Sequence, residues 1–312
     1  MLTQSQIDDV VRAVVENVTK EIAHQNGEGI TQKSRIQNSP FDINNVGSTA
    51  DSANVLENNG ELVDITSPEV KAIPTLKHCE DPEGLERMMK RTPARIGVGN
   101  CGARLRTQTM LTLRADHAAA RDAVFMDVNQ EVLDKLGLFT VETKCSDKTQ
   151  FLTRPDLGRQ LSDTSAAELK SKCTSRPDVQ IYASDGLSST AVSANLENIL
   201  PIIIEGLKAK GLKVGTPFFL KNGRVAAMDQ ISETLGATVT CVLLGERPGL
   251  ATAESMSAYI AYKATVGMPE ARRTVVSNIH SRGIPAVEAG AYIVDVIEKM
   301  LEAKASGVEL KK

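Results

Sequence analysis

Tryptophan is absent, and six phenylalanines and four tyrosines are the only aromatic residues. That leaves little material for stacking nucleobases or for a sugar-binding platform. Neither sign of charge prevails: 36 Lys and Arg face 39 Asp and Glu, a net charge of −3. Without a basic field there is nothing to hold nucleic acid or an anionic membrane, so neither is expected as a partner. Long apolar runs are also missing. The stretch from Ile199 to Ile204 is interrupted by Pro201 and falls far short of the roughly 20 residues that span a bilayer. The five cysteines, Cys79, Cys101, Cys145, Cys173 and Cys241, include no C-x-x-C pair, and the four histidines are scattered. Zinc-ligand spacing is therefore absent and no metal site is expected. The N-terminus shows no basic start, apolar run and small-residue cleavage site. A soluble protein of the reducing cytoplasm, with idle or buried thiols, is the expectation.

What is present is enough apolar material for a real core: 41% of 312 residues, a length that suggests about two domains. In residues 1–25, Ile7, Val10, Val11, Val14, Val15, Val18 and Ile22 recur at helical spacing opposite Asp8, Asp9, Arg12, Glu16 and Lys20. This predicts an amphipathic helix. Residues 26–66, rich in Asn, Ser, Gly and Asp, read as a flexible linker that tethers it. Residues 67–164 read as a mainly helical subdomain. From 165 to 312 the texture changes. Short β-rich runs, Val179 to Ser184, Gly215 to Leu220 and Thr238 to Leu244, alternate with helix-like segments such as Asn195 to Lys210 and Met228 to Thr234. Alternation of this kind predicts an α/β fold with a Rossmann-like parallel sheet. A last helix is expected from Pro285 to near Gly307, with Val287, Ala291, Val294, Ile297 and Leu301 on its apolar stripe.

Several strings invite chemistry. Gly97, Gly99 and Gly102 in "GVGNCG" spell the dinucleotide fingerprint, which requires a strand before it and a helix after it. The residues before it include Pro93 and give no useful strand, so a stand-alone Rossmann-type nucleotide-dependent oxidoreductase is the lesser reading. "SDGLSS" lacks the second glycine of a hydrolase elbow. It nevertheless places Asp185 and Ser188 at the carboxyl end of a strand, the edge where open α/β sheets bind ligands. The blander role of these two residues is to turn the chain and cap the next helix. "GERPGL", Gly245 to Leu250, occupies an equivalent edge. There Glu246 offers a carboxylate acceptor to a ligand, or a surface pair with Arg247. In "NIHSRG", His280 compares with the D-x-H-x-x-G motif that supplies a lower cobalt ligand. Asn278 replaces the aspartate that would orient the imidazole, so a turn before Pro285 is the expectation.

Taken together, "GVGNCGARLRTQTMLTLRADHAAARDAVF", "LTRPDLGRQL", "PDVQIYASDGLSS", "VGTPFFLKNGRV", "LGERPGLATAESM" and "SNIHSRGIPAVEA" resemble the ethanolamine ammonia-lyase small (light) subunit family. The resemblance runs from about Arg95 to Lys304. It implies an adenosylcobalamin-dependent enzyme that converts ethanolamine to acetaldehyde and ammonia. The radical chemistry would sit on a large subunit, and the corrin would lie between the two subunits of a hetero-oligomer. This chain would then carry no catalytic residue of its own. Its implied cobalamin contacts are Val225 in "NGRV", Glu246 in "GERPGL" and Val275 in "RTVVSN", the last at a position where family members can have cysteine. The family keeps the cofactor's own nucleotide base on cobalt, in keeping with Asn278. The resemblance also gives the N-terminal helix a purpose, as a tag that binds shell protein or another cargo enzyme in a bacterial microcompartment. A non-catalytic scaffolding subunit is the remaining alternative.

Overall fold

The computed structural model describes residues 64–310 except 77 and 93. The amphipathic helix expected over 1–25 and nearly all of the linker expected over 26–66 lie outside the described residues. The rest falls in one compact unit, Val63–Lys312, organised by a mixed six-stranded sheet. Its strands are β1 (Phe139–Glu142), β2 (Val179–Ser184), β3 (Phe218–Lys221), β4 (Val239–Gly245), β5 (Met256–Tyr262) and β6 (Thr274–Ile279). They lie in the spatial order β1-β3-β2-β4-β5-β6. The first four in that order are mutually parallel, whereas β5 runs antiparallel to β4 and β6 antiparallel to β5.

Two features depart from the expected architecture. The connection 246–255 between β4 and β5 is shorter than the dozen or so residues a parallel crossover needs, so the chain turns straight back. The helical texture expected over 67–164 is interrupted by β1, which adds to the sheet edge in register Phe139↔Phe218 through Glu142↔Lys221. β3 begins at Phe218 and not at Gly215, because Pro217 has no N–H to give the ladder.

Around the sheet lie α1 (Pro68–Lys71), α2 (Pro82–Met89), α3 (Thr107–Phe125), α4 (Gln130–Lys135), α5 (Lys148–Thr153), α6 (Asp163–Lys172), α7 (Ser189–Ala209), α8 (Ala227–Leu235) and α9 (Ala286–Ala303). Side-chain alternation along each strand divides the core in two. On one face Ile181, Phe219, Cys241, Leu243, Ala258 and Ile260 meet α7 and α9 through residues such as Leu196, Ile199, Ile203, Ile293 and Ile297. On the other face Tyr182, Phe218, Leu220, Val242, Leu244 and Ala261 meet α6 and α8 through Leu169, Met228 and Ile231. Each such aliphatic side chain contributes roughly 1.5–3 kcal/mol by leaving water. α9 buries Ala289, Gly290, Ile293, Val294, Val296, Ile297 and Met300, so Val294 and Ile297 of the expected stripe are buried, whereas Val287 and Ala291 are exposed. The buried surface is broader than the expected stripe because α9 packs on α7 as well as on the sheet, with Gly290 against Ile202 and Val294 against Gly206. The helix also stops early, at Lys304 in the left-handed region (φ 52°).

Candidate functional site

β2 leads into α7 on one face of the sheet, and β3 leads into α8 on the other. Their carboxyl ends therefore open a crevice, the place where doubly wound sheets bind ligands. Asp185, just past β2, bridges it. Its Oδ1 accepts the Asn222 N–H at 2.8 Å, and its Oδ2 accepts Lys148 Nζ at 2.5 Å. Ser184 Oγ accepts the Gly223 N–H at 3.2 Å, and Thr143 Oγ1 donates to the Asn222 carbonyl at 3.0 Å. A Cβ on Gly223 would lie 2.5 Å from Ser184 Oγ and 2.7 Å from a Leu220 methyl, so a larger residue would have to displace both side chains. Ser188 caps α7, accepting the Ala191 N–H at 3.2 Å, and donates to the Ala253 carbonyl. Asp185 and Ser188 thus serve as turn and cap residues that fix the edge.

The loop after β4 packs directly on this crevice. The Leu187 N–H donates to the Gly245 carbonyl at 2.9 Å. A Cβ on Gly245 would lie 2.0 Å from the Ser188 carbonyl oxygen and 2.5 Å from that of Asp185. Glu246 follows at once. Its Oε1 accepts the Tyr259 hydroxyl at 2.8 Å, and among the described residues it forms no ion pair with Arg247. Burial first, then the hydrogen bond to Glu246, pushes the Tyr259 phenol well above its usual value, so it remains a donor. Val275 on β6 stands opposite Tyr259 in the ladder and is 45% exposed. Tyr259 and Val225 both pack against the core that contains Tyr182 and Val242, whereas Val276 belongs to the opposite one. Val225, the Glu246–Tyr259 pair and Val275 therefore share one face of the sheet.

Polar groups without partners gather at the same edge. Asn222 Oδ1, Arg224 Nε and Ser257 Oγ are buried and, among the described residues, have no hydrogen-bond partner. Ser257 stands opposite Leu244, on the face that carries Tyr259. Arg224 lies over the Phe151 ring at 4.1 Å and donates through Nη2 to the Phe151 carbonyl at 2.8 Å. Beside it, Arg247, Arg121 and His117 line a cleft of about 460 Å³. Sequence reasoning missed Lys148, Asn222, Arg224, Ser257 and Tyr259. Of these Asn222 and Arg224 carried a signal, both lying in the string "NGRV" that ends in Val225.

Residues 82–311 match the family model described as "Ethanolamine ammonia-lyase light chain (EutC)". The ethanolamine ammonia-lyase small subunit of Clostridium tetani is 59% identical over 257 residues, covering 82% of this chain and 87% of the relative. That of Fusobacterium nucleatum is 56% identical over 252 residues (81% and 85%). That of Listeria innocua is 51% identical over 252 residues (81% and 86%). The chain belongs to the ethanolamine ammonia-lyase light-chain family.

In this light chain the remaining sequence candidates have structural roles. Asn100–Cys101 and Arg104–Leu105 form a two-residue antiparallel hairpin around Gly102 (φ 61°). The glycine string therefore does not follow a strand of the main sheet, and a Cβ on Gly99 would lie 2.2 Å from the Thr75 carbonyl. This removes the structural context that a dinucleotide fingerprint requires. His280 Nε2 bonds Asn278 Oδ1 at 2.9 Å, and its Nδ1 accepts the Arg282 N–H at 3.2 Å. Both ring nitrogens are engaged within the turn, which leaves neither for a metal. Cys173 and Cys241 are buried, and burial pushes their thiols up to about 11 and about 12, beyond ready reaction.

Proposed function

We propose that this chain is the small subunit of an adenosylcobalamin-dependent ethanolamine ammonia-lyase and forms part of the cofactor site where it meets the large subunit. The observation that carries the site is the gathering of Val225 and the Glu246–Tyr259 pair near the carboxyl edge, with Val275 on the same sheet face, opposite Tyr259 and level with Val242. In this reading residues 165–312 are the Rossmann-like cobalamin-binding domain, and residues 67–164 are the mainly helical subdomain, which lends β1 to the sheet.

The residues present fit a corrin. Its rim of amides needs both donors and acceptors; the buried, unpartnered Ser257 hydroxyl can serve as either, and Asn222 Oδ1 as an acceptor. When bound, adenosylcobalamin supplies an adenosyl radical by homolysis of its cobalt–carbon bond. This chain's residues bind and orient. Glu246, held by Tyr259, presents a fixed carboxylate to amide donors. Val275 and Val225 give apolar surface that excludes water. Gly245 and Gly223 let the backbone loops close beneath them. No acid, base or nucleophile cluster is needed here, because substrate chemistry belongs to the large subunit.

Acetaldehyde release from ethanolamine is expected only when this chain and a large subunit are co-expressed with adenosylcobalamin. Neither subunit alone should give activity. Full activity of the large subunit alone would reject the reading.

Residues 1–25 are proposed to bind shell protein or another cargo enzyme of a bacterial microcompartment, an assignment supported by their amphipathic spacing. Deleting them is expected to leave lyase activity intact and to disperse the enzyme through the cytoplasm. Unchanged encapsulation in fractionated cells would sink the idea.

A further inference from the structure

Arg121, Arg224, Arg247 and His117 line the 460 Å³ cleft, with Leu152 and Leu187 among its apolar walls and no Asp or Glu in its lining. Among the described residues none of these three arginines forms an ion pair. The buried carboxylate whose charge acts on Arg224, Asp185, is committed to Lys148. Burial, and then the neighbouring Arg159 and Arg247, disfavour the Arg224 cation, yet its Nε is buried with no acceptor. A set of guanidiniums held together against their own repulsion, with a buried N–H unspent, calls for an anion. The planar fork of arginine matches phosphate oxygens in particular. The cleft also adjoins the proposed cofactor contacts: Arg224 immediately precedes Val225, and Arg247 immediately follows Glu246.

We infer that Arg224 and Arg247, with Arg121 behind them, grip the anionic phosphodiester in the nucleotide tail of adenosylcobalamin, while Leu152 and Leu187 flank the tail. The inference rests on the cofactor reading and deepens it: the corrin edge and the tail are held by adjacent residues of the same two loops. The other possible occupant, an acidic surface of the large subunit, is an outcome of the test.

The test titrates the co-purified subunit pair with hydroxocobalamin and, separately, with cobinamide, the corrinoid that ends before the phosphodiester. Arg224→Gln and Arg247→Gln are each expected to raise the Kd for hydroxocobalamin about 10- to 100-fold, the range of one charged hydrogen bond. The Kd for cobinamide should stay within about twofold, since that ligand has no phosphodiester for the two arginines to hold. Arg224 also packs on Phe151, so Arg247→Gln, on an exposed loop, guards against a folding defect. Equal weakening of both corrinoids, no weakening of either, or separation of the two subunits would each overturn the assignment. A wild-type pair that binds neither corrinoid would instead reject the cofactor reading on which it rests.

Discussion

Replacing Arg273 by methionine destabilises the full-length chain by about 3–5 kcal/mol at neutral pH, because the change leaves a buried carboxylate without its partner. Arg273 enters β6 with its side chain 1% exposed and makes two bonds of 2.8 Å to Asp229 of α8, whose side chain is 4% exposed. It also reaches Glu270 at 2.6 Å. The pair ties the antiparallel part of the sheet to the helix that packs under β3 and β4. Burial raises the Asp229 pKa even with Arg273 present. A raised value means that the folded chain binds more protons than the unfolded chain above pH 3.8. Stability from this group is therefore fully present at acid pH and declines as pH rises. Removing the arginine raises the pKa further, so the loss in Arg273→Met is expected to shrink between pH 7 and pH 5. The double variant Asp229→Leu with Arg273→Met should recover most of it. Urea unfolding followed by circular dichroism checks this. A loss under about 1 kcal/mol at pH 7, or a double variant no better than the single, would show that the pair is not anchored as described.

The second large effect is expected at Gly245. An alanine Cβ there would stand 2.0 Å from one backbone carbonyl and 2.5 Å from another, and backbone atoms cannot swing aside as a side-chain end can. The loops 185–188 and 246–255 must part. Glu246 is the next residue, so the cofactor face moves with them. Overpacking of this kind costs about 1–3 kcal/mol, which is about 5- to 150-fold in Kd where the strain falls on the binding loops. Gly245→Ala is accordingly expected to weaken cobalamin binding by the subunit pair about 5- to 150-fold while the pair still assembles. Affinity unchanged from wild type would mean that the two loops do not position the site.

The sequence made the centre of the sheet legible and its two edges obscure. Val179–Ser184 reads as a strand because it is a short β-rich run bounded by Pro177 and a turn, and β2 has those bounds. β1 is four residues long and begins just after the Gly137 turn (φ 63°) that ends α4, too short for alternation to stand out from its helical surroundings. β5 is buried on both faces, with five of its seven positions buried, so it shows little of the polar alternation that marks a half-exposed strand. Glu246 was legible as a loop carboxylate, but its partner was not. Tyr259 lies thirteen positions away and meets it only because β5 folds back on β4. The same pairing brings Val275 opposite Tyr259. Sequence spacing cannot convey that proximity, and only the family resemblance singled out Val275. The cationic cleft was hidden for a similar reason: Arg121, Arg224 and Arg247 come from α3 and two separate loops.

Whether this chain supplies cofactor-binding residues on the face that carries Glu246 is tested most directly by equilibrium titration of the co-purified subunit pair with adenosylcobalamin, comparing wild type with Glu246→Ala. The Kd is expected to rise about 10- to 100-fold, the worth of hydrogen bonds to a charged group. At saturating cofactor the turnover number should lie within about twofold of wild type, as expected for a group that binds but takes no part in the chemistry. An unchanged Kd, or a turnover number that collapses at saturating cofactor with the Kd intact, would contradict that role.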